Sequence, residues 1–228
     1  MTETAISADV WIWPLDVASP AHWLSEDETA RADRFVTQTL QQRWAASRAG
    51  MRGILGALLE QPPESFVFGE GEHGRPFLQN VDCPYSFNLS HSEGLAALVI
   101  SEAVAGVDIE RVRPLHRDVA DMFFSSAENE ALDRLGEEGR SEGFFRCWTA
   151  KEAVLKALGA GLSISGKSFT VDFSGPAAPI LIEANWKDRE TGDWRLAAFQ
   201  PEVGYAGAVA VRTPYAVSLS LRRWVFPG

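Results

Sequence analysis

Apolar positions recur along the chain with two periods, and each change of period marks a boundary between elements. "VWIWPL" alternates at a spacing of two and predicts a strand. "SEDETARADRF" opens with a serine followed by acids, the mark of a capped helix whose first turn is acidic. A longer helix fits "QTLQQRWAASRAGMRGILGALLEQ" and is stopped by Pro62 and Pro63. "ESFVFGEGEHGRPFLQ" reads as strand, glycine-rich turn and strand, and "YSFNLSHSEGLAALVIS" as a second unit of that kind. "AGVDIERV" is a short strand, followed by helical stretches around "DVADMFF", "AENEALDRL" and "GFFRCWTAKEAVLKAL". The remainder, "SFTVDF", "PILIEA", "DWRLAAFQ", "YAGAVAV" and "AVSLSLRRW", is predicted to be mostly β.

The order of elements carries a faint repeat. "SFNLSHSEGLAALVIS" and "DWRLAAFQPEVGYAGAVAVR" both run strand, turn, small-residue strand. With 228 residues available, this predicts an α+β fold made of a pseudo-twofold pair of similar lobes, 1–104 and 105–228. No low-complexity linker separates them, so the lobes are expected to pack together.

Composition changes the picture mainly by exclusion. Hydrophobic residues are 46% and charged residues 23%, as in a folded globular protein, and no apolar run reaches membrane-spanning length. "MTETAISADVWIWPLD" shows no secretory signal, and two cysteines, Cys83 and Cys147, make neither a disulfide framework nor a thiolate metal cluster. A reducing cytoplasm is the expected compartment. A net charge of −10 argues against nucleic acid or an anionic membrane as partner. Arg31, Arg34, Arg43, Arg48 and Arg52 crowd one stretch, and on sequence alone they read as a solvated helix face.

Four stretches could carry chemistry. In "GVDIE", a strand turns Val107 and Ile109 one way and Asp108 and Glu110 the other, with roughly 6 to 7 Å between the Cα atoms of the two acids. That face suits a hard cation such as Mg²⁺, which takes one or two carboxylates with water and phosphate oxygens; acids in water on an edge strand explain it as well. "FNLSHS" sets Ser90 and His91 at a strand end, where the imidazole suits a phosphate or a plain turn. In "GEHGRPF", Pro76 holds Arg75 extended, a posture fit for a phosphate fork or for an ordinary surface turn. "WTAKEAVLKALGAGL" carries an apolar stripe of Ala150, Ala153, Val154, Ala157 and Leu158. Glu152 and Lys156 lie one turn apart, about 6 Å along the axis, as a helix-stabilising pair or as half of a site. "TAKE" also matches a capping box, although the helical look of "SEGFFRCW" puts Thr149 in mid-helix.

Taken together, "GRPF", "FNLSHS", "GVDIERVRP" and "FFRCWTAKEAVLKALGAGL" resemble the 4′-phosphopantetheinyl transferases, in the larger two-lobed type named after the surfactin-synthetase activator. The resemblance implies transfer of the phosphopantetheine arm of coenzyme A to a serine of an apo acyl or peptidyl carrier protein, releasing 3′,5′-adenosine bisphosphate. It implies Mg²⁺, or Mn²⁺ in its place, among Asp108, Glu110 and Glu152. Arg75, Ser90 and His91 match positions that contact coenzyme phosphates or the adenine end, and Lys156 matches the lysine beside the pyrophosphate. Arg43 resembles the arginine for the 3′-phosphate, with Arg31 and Arg34 near it. Lys156, Asp108 and Glu152 are thereby the expected catalytic set, with Glu152 or a water held by the metal as proton acceptor. Arg75 stands where lysine is common, which alters fork geometry. The chain's acidity requires an acidic carrier to dock through apolar contacts and local arginines. A fused pair of lobes is expected to be monomeric. A non-catalytic coenzyme A- and carrier-binding scaffold is the alternative, and a Mg²⁺-dependent phosphohydrolase of nucleotides is a second.

Overall fold

The structure is a computed structural model that describes residues 5–71, 75–114, 118–159, 161–174, 179–184 and 193–227. Gly74 of "GRPF" and Ala160 of "ALGAGL" lie outside the described residues. The first lobe runs β1 (Ile6–Pro14), α1 (Glu26–Ala32), α2 (Gln38–Leu59), β2 (Phe68–Glu70), β3 (Pro76–Leu78), β4 (Ser86–Ser92) and β5 (Leu95–Ser101). The second runs β6 (Ala105–Arg111), α3 (Asp118–Phe123), α4 (Ser126–Arg134), α5 (Gly136–Leu158), β7 (Phe169–Asp172), β8 (Ile180–Ala184), β9 (Trp194–Phe199) and β10 (Tyr205–Arg212). A last strand, β11 (Val217–Arg223), follows.

The α+β repeat is present in the connectivity. In one sheet β5 lies between β1 and β4, and in the other β10 lies between β6 and β9, all antiparallel. Each lobe adds a two-stranded hairpin, β2–β3 or β7–β8. β11 crosses back and pairs parallel with β1, from Ile6 opposite Val217 to Ile12 opposite Arg223. It covers the outer edge of β1, whose amides and carbonyls would otherwise be open to other chains. Strand 217–223 therefore sits in the sheet of the first lobe although its residues follow the second.

Strand alternation places the core. Val10 and Ile12 of β1 join Val107 and Ile109 of β6 and Val209 and Val211 of β10 in one cluster shared by both sheets. The other face of the first sheet is covered by α2 through Trp13, Met51, Ile54, Leu55 and Leu98. In the second sheet, Ala208 and Ala210 meet the small stripe of α5, Ala150, Ala153, Val154 and Ala157. That stripe lets α5 lie close on β6, where a Cβ on Gly106 would strike the Ala153 carbonyl oxygen.

The helices repeat one device. Ser25 and Glu28 form a capping box at the start of α1, and Ser125 and Glu128 form another at the start of α4. Each glutamate then accepts from a cation on the long helix of its lobe. Arg52 Nε reaches Glu28 at 2.7 Å and Arg48 reaches it at 2.8 Å, whereas Lys151 Nζ reaches both oxygens of Glu128 at 2.6 and 2.7 Å. Arg52 is 1% exposed, and Arg48 is turned inward with it, which corrects the solvated-face reading for these two arginines. Lys151 is fully buried, with a further bond to the Phe169 carbonyl. Thr149 is buried in mid-helix and donates to the Phe145 carbonyl, so it is no N-cap.

Candidate active site

β4, β6 and α5 together make a pocket of about 300 Å³ lined by Ser90, His91, Asp108, Glu110, Trp148, Glu152 and Lys156, among others. Alternation along β6 turns Asp108 and Glu110 away from the shared core and toward α5. Helical spacing brings Trp148, Glu152 and Lys156, each a turn apart, onto the facing side of α5. Lys156 Nζ donates to Asp108 Oδ1 at 2.7 Å and to Ser90 Oγ at 2.9 Å. Ser90 donates in turn to Asp108 Oδ1 at 2.8 Å, and Ser92 Oγ donates to Glu110 Oε2 at 2.6 Å.

The electrostatics are those of crowded acids. Burial first, and then the Asp108 charge and Glu110, push Glu152 above its ordinary value against the pull of Lys156. Glu110 is raised by burial and by Asp108, with Ser92 and Arg113 opposing. His91 shows an exposed edge, yet desolvation by the surrounding protein and then the Lys156 ammonium hold its pKa down. Asp108 is 4% exposed, and its Oδ2 is buried without a hydrogen-bond partner.

An unpartnered buried carboxylate oxygen beside two further carboxyl groups is a donor set that suits a hard cation in kind. The acids do not already close around a point: among the described residues, no three His, Cys, Asp or Glu side chains stand as a metal-binding group. The ammonium of Lys156 supplies positive charge at Asp108.

The structure thus brings Ser90, His91, Asp108, Glu110, Glu152 and Lys156 together, and it leaves Arg75 and Arg43 outside that lining. Arg75 lies at the boundary of the lobes. Its guanidinium donates to the carbonyls of Ala157, Ala105 and Phe87 and to Ser86 Oγ, and desolvation lowers its pKa. Arg43 makes a two-pronged pair with Asp16 at 2.6 and 2.8 Å. It borders a neighbouring pocket that shares His91, with Leu15, Phe35, Leu40 and Trp44. A third pocket, of about 510 Å³, also contains His91, together with Arg31, Arg48, Trp44, Phe68 and Pro76. Arg31 reaches Glu70 only at 3.5 Å and packs over the Trp44 ring, and Arg34 is exposed. His91 therefore joins the acidic pocket to a groove with the exposed Arg31 and aromatic walls. Trp148, which lines the pocket, and Ser92, which bonds to Glu110 from outside the lining, are residues that sequence reasoning did not single out. The spacing of two from Ser90 to Ser92, and of four from Trp148 to Glu152, is the signal that points to them.

The protein-family comparison matches residues 105–214 to the 4′-phosphopantetheinyl transferase superfamily and residues 15–103 to a family described as 4′-phosphopantetheinyl transferase, N-terminal. The 4′-phosphopantetheinyl transferase HetI of Nostoc sp. is 36% identical over 221 residues, covering 91% of this chain and 90% of that protein. A putative 4′-phosphopantetheinyl transferase of Synechocystis sp., slr0495, is 33% identical over 207 residues, covering 87% and 82%. The 4′-phosphopantetheinyl transferase Sfp of Bacillus subtilis is 25% identical over 149 residues, covering 65% and 66%.

Proposed function

The chain belongs to the 4′-phosphopantetheinyl transferase superfamily, and on that premise we propose that it transfers the 4′-phosphopantetheine arm of coenzyme A to a serine hydroxyl of an apo acyl or peptidyl carrier protein, releasing 3′,5′-adenosine bisphosphate. One observation carries this reading. Three acids from β6 and α5 share a pocket with Lys156, and that pocket continues through His91 into a groove holding Arg31. The reaction requires neutralised phosphate oxygens, an aligned hydroxyl and removal of one proton.

Asp108, Glu110 and Glu152 would hold Mg²⁺, or Mn²⁺ in its place, with Asp108 Oδ2 as the free donor. Bound there, the cation would neutralise charge on the pyrophosphate. Lys156, already directed at Asp108, is placed to stabilise the departing phosphate. Its one-turn separation from Glu152 sets ammonium and carboxylate on neighbouring atoms of the reacting group. Glu152, in the pocket one turn from Lys156, is the proposed acceptor of the serine proton. His91, Arg31 and Arg43 are the proposed contacts for the coenzyme's remaining phosphate and adenine end. Arg75, bonded to both lobes, is assigned to holding α5 against β4 and β6.

On this reading lobe 1–104 receives the nucleotide end and lobe 105–228 performs the chemistry, with both in one chain as a monomer requires. No helix among the described residues is long and apolar enough to cross a membrane. Incubation with coenzyme A, Mg²⁺ and an apo carrier, followed by intact mass spectrometry, is expected to add one phosphopantetheine to the carrier. An unmodified carrier across fatty-acid, polyketide and nonribosomal-peptide types overturns the reading.

A further inference from the structure

β4 and β6 run side by side at the boundary of two sheets that share no ladder, and β4 side chains take the β6 amides instead. Ser86 Oγ accepts from the Ala105 amide at 3.1 Å, and Asn88 Oδ1 from Val107 at 3.0 Å. Ser90 Oγ accepts from Ile109 at 3.4 Å, and Ser92 Oγ from Arg111 at 3.1 Å. Every second residue of one strand thus meets every second residue of the other. A slip by one residue would turn the β6 acids to the opposite face.

The last two rungs do more. A hydroxyl has one proton and free lone pairs, so it can accept an amide and donate elsewhere at once. Ser90 and Ser92 each donate to the carboxylate of the residue just before the amide they accept, Asp108 and Glu110 respectively. The Asn88 rung has no such partner, because the residue before Val107 is Gly106. Ser90 also receives Lys156 and belongs to the pocket, whereas Ser92 is 7% exposed and does not line it.

We propose that Ser92 is a positioning residue for Glu110: its single hydroxyl locks the end of β6 in register and holds the Glu110 carboxylate beside Asp108 in a posture ready for the divalent cation. This rests on the functional reading above. An unanchored glutamate would sample several rotamers and have to be ordered by the cation itself, at the expense of affinity.

The test uses the full chain. Manganese binding is titrated by electron paramagnetic resonance, and the Mg²⁺ dependence of transfer is measured, for the wild type, Ser92→Ala, Ser92→Thr and Asn88→Ala. Ser92→Ala is expected to weaken both cation readouts by about ten- to a hundredfold, the range for groups that orient metal ligands. Ser92→Thr, which keeps the hydroxyl, restores most of the loss. Asn88→Ala removes a rung without touching a carboxylate, so it lowers Tm and leaves both cation readouts at wild-type values. Should Asn88→Ala not fold, Asn88→Val takes its place. An unchanged cation constant in Ser92→Ala, an equal shift in the Asn88 variant, or no rescue by threonine overturns the proposal. A wild type that neither binds Mn²⁺ nor modifies a carrier fails at the functional reading instead, and carries the role of Ser92 down with it.

Discussion

The two lobes share a strand, a capped helix, a long helix, a hairpin and two further strands in that order, the second inserting α3 before its capped helix, and they put opposite chemistry on them. On β1 the residues turned toward the helix layer are Trp11 and Trp13; on β6 they are Asp108 and Glu110. On α2 the cation that grips the capping glutamate, Arg52, is followed by Gly53, where a Cβ would meet the rings of Trp23 and Trp224. On α5 the corresponding cation, Lys151, is followed by Glu152 in the pocket. Gly50 of α2 makes room for the Trp13 ring, whereas in the second lobe the strand supplies the glycine, Gly106, and the helix backbone moves in. The ion pair that braces each lobe is therefore separate from the face that differs. One lobe fills that face with aromatic packing, and the other leaves crowded acids with an unpartnered oxygen. Such an arrangement is unfavourable for folding alone and fits a cation and a charged substrate.

The largest effect expected from breaking this comparison lies in the brace of the second lobe. Lys151→Met leaves Glu128 buried and uncompensated and is expected to cost about 3–5 kcal/mol, read from urea unfolding. Glu128→Gln combined with Lys151→Met should recover much of it. Arg52→Met is expected to cost less, because Arg48 still pairs with Glu28.

Next comes the face that differs. Glu152→Gln is expected to lower kcat by about 10²- to 10³-fold, as loss of a general base does. Its Tm should hold or rise, since the charge repelled by Asp108 and Glu110 is gone. A fall in Tm that parallels the loss of activity would place Glu152 in the scaffold.

Gly50 and Gly106 differ in what they admit, an indole ring in one lobe and a helix backbone in the other. Gly50→Ala and Gly106→Ala should each destabilise by about 1–3 kcal/mol through overpacking. Only Gly106→Ala should also lower kcat, because pushing α5 off β6 parts Lys156 from Asp108. Equal kinetics in the two variants would show that the close approach serves packing alone.

The finest effect is in pH. Burial raises Glu28, but Arg48, the Ser25 amide and Arg52 together outweigh it, so the carboxyl sits below its ordinary value of 4.5. Its contribution is complete above that value and is lost as pH falls through the lowered one. Thermal melts from pH 7 down to pH 3 should show the gap between wild type and Glu28→Gln narrowing on the acid side. A constant gap would show that the pair holds no charge-dependent stability.

The legible parts of this fold are those governed by period and by local geometry. Alternation in "GVDIE" correctly parts Val107 and Ile109 from Asp108 and Glu110, and helical spacing puts Glu152 and Lys156 on one side of α5. The burial of Arg48 and Arg52 has no local signal, because a run of basic residues on a helix looks solvated until Glu28 arrives from another helix to cover them. Arg75 bonds mostly to carbonyl oxygens, groups that every residue carries and that no motif distinguishes. β11 pairs with a strand at the other end of the chain, a contact with no local signal.

By itself, the order of residues determined the elements, the faces on which the acids and Lys156 stand, and the doubled plan of the lobes, since each follows from interactions a few residues apart. Only the folded chain decided that Ser92 holds Glu110, that Lys151 turns inward while its neighbour Glu152 faces the pocket, and that one oxygen of Asp108 stays free. Those outcomes depend on which surfaces meet across the lobes, where desolvation and hydrogen bonding over long separations outweigh local preference.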